Sequence, residues 1–197
     1  MKRILIITLL AFATSGAYAK PKSNDIIDQV AEYAHTVTNK APSGPLIESA
    51  FSPEAGSEAL VVKVINASER SIRLAAYSFT SPVVVRALLG ARKRGVDIRV
   101  VVDDRGNRSK SSIAALNLLV NAGIPTRTIS TYAIHHDKFI VSDDRHVQTG
   151  SFNYSKAAAK SNSENVLVLW NNREIASSYL KHWQNRFDQG VEFRPTY

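Results

Sequence analysis

From residue 46 onward, apolar positions come in short runs, and the spacing within the runs alternates between two and about 3.6 residues. The pattern predicts strands over 46–51, 71–79 and 97–102, the last continuous enough to be a buried parallel strand. Further strands are predicted near Arg127 and over 133–141, 146–149 and 165–170. Helices fall between them. Ser52-Pro53-Glu54 reads as a capped start for a helix whose apolar face is Leu60, Val61, Val64 and Ile65. Ser81-Pro82 opens a second helix that runs to about Arg94 and stops at Gly95. A third covers 113–120, before Gly123 and Pro125. The last begins near Asn172 and carries Ile175, Tyr179, Leu180, Trp183 and Phe187 on one side. Strands that alternate with covering helices imply an α/β fold, a mixed β-sheet sandwiched between helices, in a single domain.

The N-terminus breaks this pattern. Lys2 and Arg3 precede an apolar run over 4–12, and Ala17-Tyr18-Ala19 follows, which are the parts of a secretory signal peptide cleaved after Ala19. The run is too short for a permanent transmembrane helix, although a retained anchor is the competing reading. Residues 20–45 are polar and proline-containing, with a short helix expected over 25–37 (Ile26, Ile27, Val30, Ala34, Val37), and read as a linker. The expected organisation is therefore 1–19 signal, 20–45 linker and 46–197 domain. Its product is a periplasmic or secreted protein without stable membrane association.

Composition narrows the chemistry. The 197 residues include no cysteine, which removes thiolate nucleophiles and cysteine-bound metals. The net charge is +8, and loss of Lys2 and Arg3 with the signal leaves +6. That excess favours an anionic partner.

The chemistry concentrates in two segments, His135-His136-Asp137-Lys138 and Gly150-Ser151-Phe152-Asn153. On a strand, His136 and Lys138 share one side, while Asp137, Phe139 and Val141 share the other. A nucleophilic imidazole beside an ammonium, with the Ser151 hydroxyl and Asn153 amide as neutral donors, makes a phosphodiester cradle that needs neither metal nor cofactor. Asp103-Asp104 with Asp143-Asp144 could suggest a metal site, but they lack regular ligand spacing.

The run H-x-K, four residues, D, six residues, G-S-x-N, at His136, Lys138, Asp143, Gly150, Ser151 and Asn153, resembles the HKD motif of the phospholipase D superfamily. The segments 76–80, 94–97 and 104–107 look like the small secreted bacterial endonucleases of that superfamily. The resemblance implies a phospholipase D-like fold and a phosphohistidine mechanism. In it, His136 is the nucleophile, Lys138 and Asn153 bind phosphate, Ser151 supports the intermediate and Glu164 orients the imidazole. Asp143 completes the motif in a structural role. A second histidine must protonate the leaving group, yet the chain carries one motif, so a homodimer with one site at its two-fold axis is expected. Arg105, Arg108 and Lys110 form a basic loop at a strand end, suited to nucleic acid phosphates, and Lys156 and Lys160 are similar candidates. His135, His146 and His182 are expected to pack or to sit at the surface. The implied activity is metal-independent, non-specific endonucleolytic hydrolysis of DNA, with RNA a further substrate. The competing readings are phospholipid hydrolysis and non-enzymatic nucleic-acid binding by a relic motif.

Overall fold

A computed structural model describes residues 40–195; the signal peptide and the 25–37 helix lie outside them. Eight strands form one sheet: β1 (Leu46–Ser52), β2 (Ser71–Ala76), β3 (Asp97–Asp103), β4 (Thr126–Ile129), β5 (Lys138–Ser142), β6 (His146–Gly150), β7 (Glu164–Trp170) and β8 (Val191–Glu192). Their order is β1-β7-β6-β5-β2-β3-β4-β8. β2, β3 and β4 run parallel, and the remaining pairings are antiparallel.

The helices are α1 (Ser57–Ala67), α2 (Pro82–Lys93), α3 (Lys110–Asn121), α4 (Lys156–Lys160) and α5 (Arg173–Gln189). One core gathers Leu60, Val64 and Ile65 of α1, Leu88 of α2 and Leu116 of α3 against Leu74, Val100 and Ile140. The opposite core packs Ala176, Trp183 and Phe187 of α5 on Ala75, Val101, Phe139, Val141 and Val147. Alternate residues of β2, β3 and β5 thus enter opposite cores, which is why these strands read as continuous apolar runs. This is the expected sheet between helices, in one domain.

Several boundaries differ from the sequence expectation, each because a polar group outcompetes the pattern. Ser52 does not cap a helix, because it completes the β1–β7 ladder opposite Glu164, and α1 begins after Gly56 at φ 73°. β2 stops at Ala76 rather than 79, because the Asn107 side chain takes the next backbone groups: its Nδ2 donates to Tyr77 O, and its Oδ1 accepts from Phe79 N–H. β5 starts at Lys138, not 133, because His135 N–H donates to the Asp103 carboxylate instead of to a neighbouring strand. Ser109 and Ser155 cap α3 and α4, so α3 starts three residues early and α4 forms without an apolar period to announce it.

Candidate active site

The site forms where the C-terminal ends of β2 and β3 meet the N-terminal end of β5, the edge at which open α/β sheets bind ligands. Asp103, buried at the end of β3, organises it: Oδ1 accepts from Gly106 N–H at 2.6 Å and Oδ2 from His135 N–H at 2.8 Å. Asn107 ties the same strand end to β2 through Tyr77 O. The segment that delivers His136 is thereby fixed to the end of β3, and that end in turn to the end of β2.

His136 is exposed, with its ring 4.7 Å from that of Tyr77. Lys138 is only 6% exposed; its Nζ donates to His136 O at 2.8 Å and lies 5.4 Å from the Tyr77 ring centre. Burial lowers the Lys138 pKa, while the charges of Glu164 and Asp137 oppose the shift. A buried ammonium whose hydrogen-bond partner is a neutral carbonyl is arranged to receive an anion.

The second motif segment approaches from β6 and β7. At Gly150, with φ 147°, a Cβ would stand 2.2 Å from Asn165 O, so only glycine lets the two strand ends close. Ser151 Oγ donates to Glu164 Oε2 at 2.6 Å and accepts from Asn165 N–H. Glu164 Oε1 accepts from Asn162 Nδ2. Where orientation of the His136 imidazole was expected of Glu164, its partners are Ser151 and Asn162, and it acts on the cradle through Ser151 and through its charge on Lys138. Asn153 Oδ1 is buried without a hydrogen-bond partner among the described residues.

A cleft of about 410 Å³ opens here, walled by His136, Lys138, Thr149 and Gly150 on the sheet side and by Ser178, Tyr179 and His182 of α5 on the other. His182 Nε2 meets Asp137 Oδ2 at 2.8 Å, and the buried His135 places Nδ1 3.4 Å from the same oxygen. Burial holds the His135 pKa below its usual value, with Asp137 and Asp103 opposing. His135 thus faces away from Lys138, toward α5.

Asp143 is not at this end. It lies past the far end of β5, at φ 54°, where Oδ1 and Oδ2 accept the backbone N–H groups of Glu69, Arg70 and Ser71. The two acidic pairs therefore sit at opposite ends of the sheet. Arg105, Arg108 and Lys110 are exposed just beyond Asp103, on the same side of the molecule as the cleft, with Arg108 paired to Asp104. The roles of Tyr77, Asp103, Asn107, Asp137 and His182 were not legible in the motif. A polar residue ending an apolar strand signalled Asp103, but His182 looks in sequence like any other polar position of an amphipathic helix.

Comparisons with known proteins place the chain among phospholipase D-like proteins. A family model described as "Cardiolipin synthase, PLD-like domain" matches residues 61–189. A protein of Rickettsia felis named phospholipase D is 37% identical over 140 residues, 71% of this chain and 68% of the relative. The mitochondrial cardiolipin hydrolase of Xenopus laevis is 32% identical over 145 residues, 74% of this chain and 64% of that protein. Among solved structures, Nuc from Salmonella typhimurium, a phospholipase D family member, superposes with a TM-score of 0.76 at 48% identity, covering 77% of this chain and 99% of Nuc. NucT from Helicobacter pylori shares the fold, with a TM-score of 0.66 at 24% identity over 76% of this chain and all of NucT.

Proposed function

Because the chain belongs to the phospholipase D superfamily, whose members are phosphodiester hydrolases, we propose that it is a metal-independent endonuclease working through a phosphohistidine at a homodimer interface. The buried Lys138 ammonium, bonded to a carbonyl beside an exposed imidazole, is the observation that carries this reading. It supplies at the phosphate the positive charge that a metal would otherwise bring.

In the proposed reaction, His136 attacks phosphorus while Lys138 and Asn153 hold the non-bridging oxygens. The opposite P–O bond breaks, and the departing oxygen takes a proton from the partner's His136. Water then attacks the phosphohistidine and gives a proton to that same imidazole. The P–N bond breaks, leaving a phosphomonoester, an alcohol and free His136. Ser151, held by Glu164, supports the intermediate.

A homodimer is favoured by an uncovered apolar sheet face beside the cleft. Ile47 and Phe51 of β1 and Leu167 of β7 are 66%, 54% and 36% exposed. Leu167 pairs with Thr149, a cleft residue, so a second copy docked on this face reaches the site. Nucleic acid as substrate is supported by the +6 charge of the processed chain, by the basic loop 105–110 and by the 48% identity to Nuc over almost all of its length. Export to the periplasm rests on residues 1–19.

The names of the Rickettsia and Xenopus relatives favour a second reading, hydrolysis of phospholipid. One assay separates the two. Processed protein should nick plasmid DNA in excess EDTA, and His136→Asn should abolish nicking while DNA binding persists. Nicking that stops on chelation would overturn the metal-free mechanism. Hydrolysis of cardiolipin vesicles without any nicking would select the lipid reading.

A further inference from the structure

The cleft holds more than one scissile phosphate needs. Its volume of about 410 Å³ falls within the range of ordinary ligand pockets, roughly 300–1,000 Å³, and its second wall is a helix outside the HKD motif. On that wall, Ser178, Tyr179 and His182 of α5 line the same cleft as His136 and Lys138. Tyr179 is committed to the sheet: its ring packs edge-on against Phe139 at 4.9 Å and its hydroxyl contacts Thr149 Oγ1. His182 is different. Its side chain is 40% exposed, and its Nε2 is held by Asp137 Oδ2 at 2.8 Å. Asp137 is the residue between the nucleophile and the phosphate-binding lysine, so the carboxylate couples the α5 wall directly to the motif.

An imidazole with one nitrogen on a carboxylate and the other turned to a ligand can carry a proton on both, donating to the carboxylate and to an anion at once. The other imidazole at this carboxylate, His135, is buried, which leaves His182 as the one exposed to the cleft.

We infer that His182, held by Asp137 and flanked by Ser178, forms a second phosphate subsite that binds the phosphate neighbouring the scissile one on a polynucleotide strand. The inference rests on the nuclease reading and extends it: His136 and Lys138 take the reacting phosphate, while α5 takes its neighbour and so aligns the strand along the cleft. The subsite reads charge rather than bases, which fits cleavage with little sequence preference.

The test removes the charge from the ligand as well as from the protein. A trinucleotide with two natural diesters is compared with the two trinucleotides in which one diester or the other is a neutral methylphosphonate, so that only its neighbour is cleavable and KM for that cleavage is read product by product. In the wild-type protein, on one of the two sides, the neutral neighbour should raise KM about tenfold with little change in kcat. In His182→Gln the natural trinucleotide should show that raised KM, and the methylphosphonate should add nothing further. His182→Lys, which restores a cation, should restore the methylphosphonate penalty. An equal penalty in wild type and His182→Gln would overturn the subsite. So would an equal fall in kcat on both substrates, which would put His182 at the reacting phosphate. Failure of His182→Lys to restore the penalty would overturn a charge contact. Trinucleotides left intact by wild-type protein that hydrolyses cardiolipin vesicles would overturn the nuclease reading itself, and the subsite with it. The ratio is read within each protein, so loss of fold in a variant shows separately as loss of both substrates.

Discussion

Lys138 is kept buried at a desolvation cost that the charges of Glu164 and Asp137 offset only in part. Its pKa is lowered chiefly by loss of water, and in the free protein its ammonium has a carbonyl and the face of Tyr77 for company. Replacement by an apolar side chain of similar length removes that desolvation cost while leaving the cleft without its cation. Lys138→Met should therefore abolish hydrolysis yet match or exceed the wild-type stability in urea denaturation, by up to about 1 kcal/mol. A clear loss of stability would show instead that the Lys138 bond holds the β5 entry together. His146 gives a second residue-scale prediction. It is fully buried against Trp170, its Nδ1 accepts Asn171 N–H, and burial with the nearby Arg145 charge lowers its pKa to about 4. The unfolded chain takes up a proton here near pH 6.5, and the folded chain does so only near 4. The stability from this residue is thus complete above about pH 6.5 and lost as the pH falls through that window, by about 3 kcal/mol at most. Urea midpoints between pH 7 and 4 should fall steeply in wild type and more gently in His146→Gln.

At the scale of elements, the compact spacing of the motif hides a division of labour. β5 carries Lys138 at one end, just after His136, and Asp143 just past the other, so one strand serves the proposed phosphate site and the architecture at opposite edges of the sheet. The Asp143 carboxylate receives the N–H groups that open β2, and the left-handed turn at Asp143 and Asp144 sets the β5–β6 hairpin. Asp143→Ala should cost about 3 kcal/mol by orphaning these donors, and the fraction still folded should hydrolyse substrate at near the wild-type rate, as measured by active-site titration against denaturant midpoint. The strands and long helices were legible in sequence because their apolar periods are unbroken: Val100 to Val102 and Trp183 to Phe187 could hardly be placed otherwise. The boundaries were not legible where a distant side chain decides them. Nothing local to Tyr77 or His135 announces that Asn107 and Asp103 will take their backbone groups. His136, Lys138, Ser151 and Asn153 stood out as candidates because they fall in two short spaced runs, at the start of β5 and just past the end of β6, which the β5–β6 pairing brings to the same end of the sheet. His182 did not, because its partner Asp137 lies 45 residues away in sequence.

At the scale of the molecule, one motif supplies one nucleophile, while the proposed reaction needs two imidazoles. The apolar face left open by α5 is where the proposed second copy docks, and it is contiguous with the cleft through the Leu167–Thr149 pair. Leu167→Asp places a charge at the centre of that face, on an exposed position of a strand already paired on both sides, so the fold should survive while the dimer does not. Sedimentation should then report a monomer, and hydrolysis should fall with it. Mixed dimers test the shared site more directly. A dimer of one wild-type chain and one His136→Asn chain holds a single imidazole at the two-fold axis and cannot provide both nucleophile and acid. Equal amounts of the two chains, unfolded together and refolded, should retain about a quarter of the activity of the same total amount of wild type, because only wild-type pairs work. Independent monomers, each complete in itself, would retain about half. A retained half would also return the role of the acid to a histidine of the same chain, with His182, which lines the same cleft as His136, then the candidate.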